Sequence, residues 1–236
     1  MSVDVGGTQS PTALIVGASR GLGRAIADEL VQRHWRVICT VRRSPRPDVR
    51  GLADPIEFET LDVTEVSQIA ALRERLSARR IDMLFVNAGT TAEDANGLQR
   101  IGDISDAEFT RVMMTNALGP MRVIEALQDL VPSDGLIGAM SSGQGSISNN
   151  AKGSRELYRG SKAALNMFMR SFAARDDQRL HAFILMAPGW IRTELGGPDA
   201  PFTIEEVVPT IVDTLIANRG KPGLRYLDRY GHIVPW

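Results

Sequence analysis

Cysteine is nearly absent: Cys39 stands alone among 236 residues, inside the apolar run Val37-Ile38-Cys39. No intrachain disulfide can form, so a disulfide-stapled secreted scaffold is excluded, and a core of this size needs no such staple. An excess of one charge is also missing, with 27 Lys+Arg against 28 Asp+Glu and a net charge of −1. The chain therefore has no global basic field to hold a phosphate backbone or an anionic membrane, and nucleic acid is not an expected partner. No apolar run approaches the ~20 residues of a membrane span, and Met1 to Pro11 lacks the basic patch and apolar stretch of an export signal. A soluble protein in a reducing cytoplasm is the expectation. His34, His181 and His232 are scattered, and no Cys or carboxylate pair supplies ligand spacing, so no catalytic metal is expected. Internal repeats, low-complexity tracts and composition breaks are lacking too, which predicts one domain over 1–236 with a loose polar tail at 1–10.

What the sequence does contain is an alternation of two kinds of apolar segment. Short runs suited to strands buried on both faces lie at Ala13 to Gly17, Arg36 to Val41, Ile56 to Glu59, Ile81 to Asn87, Gly135 to Met140, His181 to Ala187 and Leu224 to Leu227. Helical spacing fills the intervals at Leu22 to Arg33, Val66 to Arg79, Asp106 to Leu130, Glu156 to Arg175 and Ile204 to Asn218. The order predicts an α/β fold, a doubly wound Rossmann-type parallel sheet of about seven strands with helices on both faces, binding its ligand at the carboxyl ends of the strands. The Gly/Pro-rich stretch 196–203 is a candidate lid over a ligand, an inert connector being the alternative.

Directly after the first strand comes Gly17-Ala18-Ser19-Arg20-Gly21-Leu22-Gly23, opening into an amphipathic helix. Glycines let the backbone approach a pyrophosphate, and the helix N-terminus offers it unpaired N–H groups and partial positive charge. Strand, turn and helix in that order are the context a dinucleotide turn requires. At the end of the second strand, where an NAD site carries an acid for the ribose 2′-hydroxyl, this chain has Arg42 and Arg43. Two cations there suit a 2′-phosphate, with Arg20 a third nearby, which favours NADPH over NADH. A solvated charged loop is the plainer reading and fits Arg46 and Arg50.

Tyr158-Arg159-Gly160-Ser161-Lys162 sets a phenol and an ammonium on one helix face, after a strand that ends in Ser141-Ser142-Gly143. With the glycine turn, Asp62-Val63, Asn87-Ala88-Gly89, Asn116, and Pro188-Gly189 followed by Thr193, the chain resembles the short-chain dehydrogenase/reductase superfamily along nearly its whole length. The endings 188–193 and 228–236 look most like the carbonyl-reductase branch of C-factor and Sniffer. The resemblance implies a catalytic tetrad of Asn116, Ser142, Tyr158 and Lys162. Tyr158 would protonate a carbonyl oxygen as hydride arrives, Lys162 would lower its pKa and bond the nicotinamide ribose, Ser142 would donate to the substrate oxygen, and Asn116 would hold a relay water. It further implies cofactor contacts from Gly17, Ser19, Arg20, Gly21, Leu22 and Gly23, from Asp62 and Val63 at the adenine, and from Asn87, Ala88 and Gly89 at the ribose. Pro188, Gly189, Ile191 and Thr193 would serve the nicotinamide. Asp62 can equally cap the helix that follows it.

Three departures accompany the resemblance. Val16 and Val86 stand where the family commonly has Thr and Asn, and the interval from Ser142 to Tyr158 is longer than usual, its extra residues within Ser146 to Arg155 reading as a polar surface loop. Ser142 is the expected catalytic serine and Ser141 the fallback. The substrate pocket is expected from Ser142, Gln144, Trp190 and Phe202, with packing the alternative for the last two. Met113, Met114, Met167 and Met169 suit core or interface positions. The family's habit implies a homodimer or homotetramer acting on a small carbonyl or alcohol; a dinucleotide-sensing protein with little turnover is the rival.

Overall fold

The computed structural model describes residues 10–42, 56–92 and 100–236. Seven strands form one parallel sheet: β1 (Thr12–Val16), β2 (Arg36–Val41), β3 (Ile56–Thr60), β4 (Met83–Val86), β5 (Leu136–Met140), β6 (Ala182–Ala187) and β7 (Gly223–Asp228), in the order β3-β2-β1-β4-β5-β6-β7. Alternation along each strand feeds two separate cores. Leu14 and Val16 face one layer with Ile38, Leu84 and Leu185, whereas Ala13 and Ile15 face the other with Val37, Phe85 and Ile184.

Each layer is closed by helices whose apolar stripes meet it. On one side lie α2 (Val66–Arg75), α4 (Gly119–Leu127) and α5 (Glu156–Ala173), contributing Leu72, Ile124, Leu165 and Phe172. On the other, α1 (Gly21–Gln32) packs against α6 (Ile204–Ala217) through Ile26, Leu30, Val207 and Ile211. A capping box starts α6: the Thr203 hydroxyl accepts from the Glu206 amide and the Glu206 carboxylate accepts from the Thr203 amide. Cys39 on β2 is fully buried, and burial pushes its thiol up to about 12.

The predicted helix from Asp106 to Leu130 is not continuous. It runs as α3 (Asp106–Met113), a π-helical turn (Met114–Leu118) and α4. Pro120 has no N–H for the Asn116 carbonyl four residues back, so the α-helical ladder cannot pass that point. The Gly119 amide donates instead to Met114, five residues back. Gly119 itself touches the end of the third strand's loop, where a Cβ would lie 2.7 Å from the Val63 carbonyl oxygen and 2.8 Å from that of Met114. Among the described residues no helix is long and apolar enough to cross a membrane.

Strand order reverses between β1 and β4, because β2 and β3 lie to one side of β1 and β4 to β7 to the other. Such a switch point opens a crevice at the carboxyl ends of the two strands. The Gly17 turn follows β1 and Asn87-Ala88-Gly89 follows β4, so both predicted motifs meet there.

Candidate active site

The glycine turn is shaped by what it touches. Gly17 has φ +86°, and a Cβ on it would come within 2.8 Å of the Ala88 backbone; one on Gly23 would overlap the Gly17 carbonyl and the Asn87 amide. Asn87 Nδ2 donates to the Gly17 carbonyl at 3.0 Å, and the Asn87 and Ala88 amides both donate to Val16. The threonine absent at position 16 is replaced from the neighbouring strand: Thr40 Oγ1 accepts from the Gly17 amide at 3.1 Å and its carbonyl from Ala18. Arg20, the N-cap of α1, leaves the first-turn amides without a side-chain cap, and no acid occupies that turn. Those free donors beside Ser19, Gly21 and Leu22 fit a pyrophosphate.

Other cofactor candidates occupy the same edge. Arg42 is exposed at the end of β2 and has no ion-pair partner among the described residues; Arg43 lies outside them. Arg20 is engaged with Glu194, an exposed pair that links the glycine turn to the segment after β6. Asp62 accepts from the amide and hydroxyl of Thr64 at 3.0 and 2.7 Å, so it organises the turn before α2, whose N-cap is Glu65. Val63 is buried and Gly89 exposed. Beyond β6, Pro188 and Ile191 are buried, Gly189 adopts φ +98°, and Thr193 Oγ1 accepts from Gly196 at 3.0 Å.

The four tetrad candidates converge from three elements. Asn116 is fully buried in the π-turn; its Oδ1 accepts from the Thr90 amide at 2.8 Å and its Nδ2 donates to the Thr90 carbonyl and to Ser161 Oγ at 2.8 and 2.9 Å. Ser161 in turn donates to the Tyr158 carbonyl. Lys162, one turn on from Tyr158, donates from Nζ to the Met140 carbonyl at 2.8 Å, and burial lowers its pKa to about 8. A Cβ on Gly89 would stand 3.5 Å from both Lys162 Nζ and Asn116 Oδ1, so the end of β4 borders this group. Burial pushes the Tyr158 phenol up, while a hydrogen bond with Ser142 and the charge of Arg155 draw it down.

The two serines divide. Ser141 is buried and donates to Asn166 Oδ1 at 2.6 Å, a contact with the α5 scaffold, whereas Ser142 accepts from the Gln144 amide at 3.2 Å and is the serine that draws the Tyr158 phenol down. The Tyr226 hydroxyl on β7 donates to the Ser142 carbonyl, fixing that residue from below. Gln144 Oε1 is buried without a partner among the described residues.

Trp190 and Phe202 sit on the segment after β6. Trp190 is half exposed and donates from Nε1 to Gly196 at 2.7 Å; Phe202 packs on the α1–α6 core with the Arg229 guanidinium 4.0 Å from its ring. The stretch 196–203 is tied back by Arg192, whose amide donates to Phe202 and whose Nε donates to Ala200.

One residue near the phenol escaped sequence reasoning. Within the supposed surface loop, Ser146 is buried and Arg155 turns inward, its guanidinium carbon 4.6 Å from the centre of the Tyr158 ring. Arg155 is the left-handed N-cap of α5, so helical spacing gives no signal for it; the sequence offers only a cation three residues before Tyr158.

A glycine turn at the switch point, with a buried Tyr158–Lys162 pair beside Ser142 and Asn116, is the arrangement of a dinucleotide-dependent oxidoreductase. The chain belongs to the short-chain dehydrogenase family, whose pattern matches residues 11–201. It is similar, at 58% identity and a TM-score of 0.91 over 96% of this chain and 100% of the other, to a short-chain dehydrogenase/reductase structure from Burkholderia multivorans with bound NADP. A carbonyl reductase from Pseudomonas aeruginosa in complex with NADP is 32% identical with a TM-score of 0.86, over 96% of this chain and 100% of the other. The C-signal protein of Myxococcus xanthus is 35% identical over 161 residues, 66% of this chain and 93% of that one.

Proposed function

We propose that the protein is an NADPH-dependent carbonyl reductase in which Tyr158 is the general acid. The reading is carried by the buried Tyr158 phenol, one helical turn from the buried Lys162 at the rim of the dinucleotide crevice, with Ser142 beside it. The α1 amides, Asn87 to Gly89 and the segment from Pro188 to Thr193 would hold the cofactor. Bound NADPH would supply the hydride. Ser142 orients the carbonyl oxygen, Tyr158 releases its proton to that oxygen, and the alcohol leaves a phenolate that must be reprotonated. Lys162 and the Asn116 region offer the route for that proton, since Pro120 has no N–H to give the Asn116 carbonyl. Arg42, without an ion-pair partner among the described residues, and the NADP-bound relatives favour the 2′-phosphorylated cofactor. Gln144, Trp190, Phe202 and the 196–203 lid would shape the pocket. Exposed Phe109, Met167 and Phe168 on α3 and α5 support a homo-oligomer, a dimer or tetramer.

The test is the loss of NADPH, and in parallel of NADH, with a panel of aldehydes, ketones and quinones, comparing the wild type with Tyr158→Phe. Turnover with NADPH that falls by roughly 10²–10⁴ in the variant while NADPH still binds is expected. Undiminished turnover in Tyr158→Phe would overturn the assignment. The similarity to C-signal favours a second reading, a dinucleotide-binding signalling protein, which predicts tight NADPH binding with no turnover on any carbonyl.

A further inference from the structure

We propose that Arg155 is a second electrostatic partner of Tyr158: its guanidinium, seated on the phenol ring, favours the phenolate and sets how readily Tyr158 releases its proton. The proposal rests on the reading of Tyr158 as the acid, and it assigns the tuning to a residue within the long Ser142–Tyr158 interval.

Geometry supplies the first argument. A cation within ~6 Å of an aromatic centroid is attracted by the ring's negative face. Ionising the phenol adds negative charge to the ring, so the same cation holds the phenolate more strongly than the phenol. Arg155 meets the condition comfortably at 4.6 Å. Lys162 Nζ is 6.0 Å from the same centroid and its ammonium is committed to the Met140 carbonyl. Burial also lowers the Lys162 pKa to about 8, so that lysine is an incomplete charge in mildly alkaline solution, whereas a guanidinium remains charged.

The second argument is how Arg155 is held. Its Nη2 donates to Thr91 Oγ1 at 2.9 Å, and no carboxylate of the described residues pairs with it, so its charge is fixed in place without being neutralised. The chain enters α5 through three consecutive left-handed residues, Gly153 at φ +63°, Ser154 at +61° and Arg155 at +49°. For the two non-glycine residues that conformation is strained, because their Cβ crowds the following carbonyl. The strain is retained in the segment that delivers the guanidinium to the phenol.

Among the described residues, the groups facing Tyr158 are few. Arg155 stands at the head of α5 and Lys162 one turn along it; Ser142 reaches it from the end of β5, and the Tyr226 phenol couples to it from β7. Only Arg155 and Lys162 are cationic among them. A surface loop would leave the phenol to Lys162 and the cofactor, while this arrangement gives it a permanent cation before any ligand binds.

Removing the charge isolates the effect, because Arg155→Lys, which also lacks the guanidinium's reach to Thr91 but keeps the charge, separates electrostatics from the lost Thr91 bond. In Arg155→Gln the tyrosinate absorbance titration of the full chain, with Tyr158→Phe subtracted to isolate Tyr158, should show its midpoint raised by roughly one pH unit, a tenfold change in the proton dissociation constant. Arg155→Lys should restore most of that shift. The alkaline fall of the reduction rate should move upward with the spectroscopic midpoint. A folded Arg155→Gln with an unmoved midpoint overturns the proposal, whatever its activity, because a purely structural role changes rate without changing the titration. Arg155→Met provides the same comparison if the glutamine variant does not fold. The enzyme reading fails separately, through turnover that survives in Tyr158→Phe, and that result leaves the titration intact.

Discussion

Lys162 is only 3% exposed and has one fixed hydrogen bond, to the Met140 carbonyl, so its charge sits in a poorly solvated place. Burial lowers its pKa from 10.5 to about 8. Between those values the unfolded chain still holds the proton that the folded chain has released, so the folded state gains stability as pH rises through that window and loses it as pH falls through 8. Compared with Lys162→Met, which has no such titration, the wild type should gain roughly 3 kcal/mol of unfolding free energy between pH 7 and 10.5. Denaturant unfolding of both proteins at the two pH values measures it, and parallel stabilities would contradict the buried ammonium. The Tyr158–Lys162 spacing was legible in the sequence because a helix puts residues four apart on one face. Arg155 was not, since its direction depends on three left-handed residues that polar composition alone does not signal.

At the scale of elements, the strands were the most legible part. Buried strands read as short apolar runs, and each of the seven appears within two residues of its expected limits. The long helix failed at Gly119-Pro120, a visible interruption that apolar spacing continued across. There Gly119 lets the π-turn lie against the loop after β3, with no room for a methyl group beside the Val63 carbonyl. Gly119→Ala should therefore cost about 1–3 kcal/mol despite the better helix propensity of alanine, because the added atom overpacks rigid backbone. The shift of the urea midpoint, with its slope unchanged, measures this; a stabilised variant would mean that the turn relaxes freely. The same contact ties the segment carrying Asn116 to Val63, one of the proposed adenine contacts.

For the whole molecule, two helical layers cover a sheet in which β2 is an interior strand, and its Cys39 is sealed from both faces. The thiolate is the reactive form, and a thiol held near 12 inside the core offers neither thiolate nor access. Labelling by a thiol reagent at pH 8 should be slow in the native protein and immediate in denaturant, with a rate that tracks unfolding. Rapid labelling of the folded chain would show that β2 opens locally. A ligand that binds only the folded form reduces the unfolded population by the factor 1 + [L]/Kd, so saturating NADPH should slow the reaction accordingly. The solitary buried sulfur thus serves as an internal clock: it ticks once per opening, and its slowing ranks dinucleotides by affinity without requiring that any substrate be known.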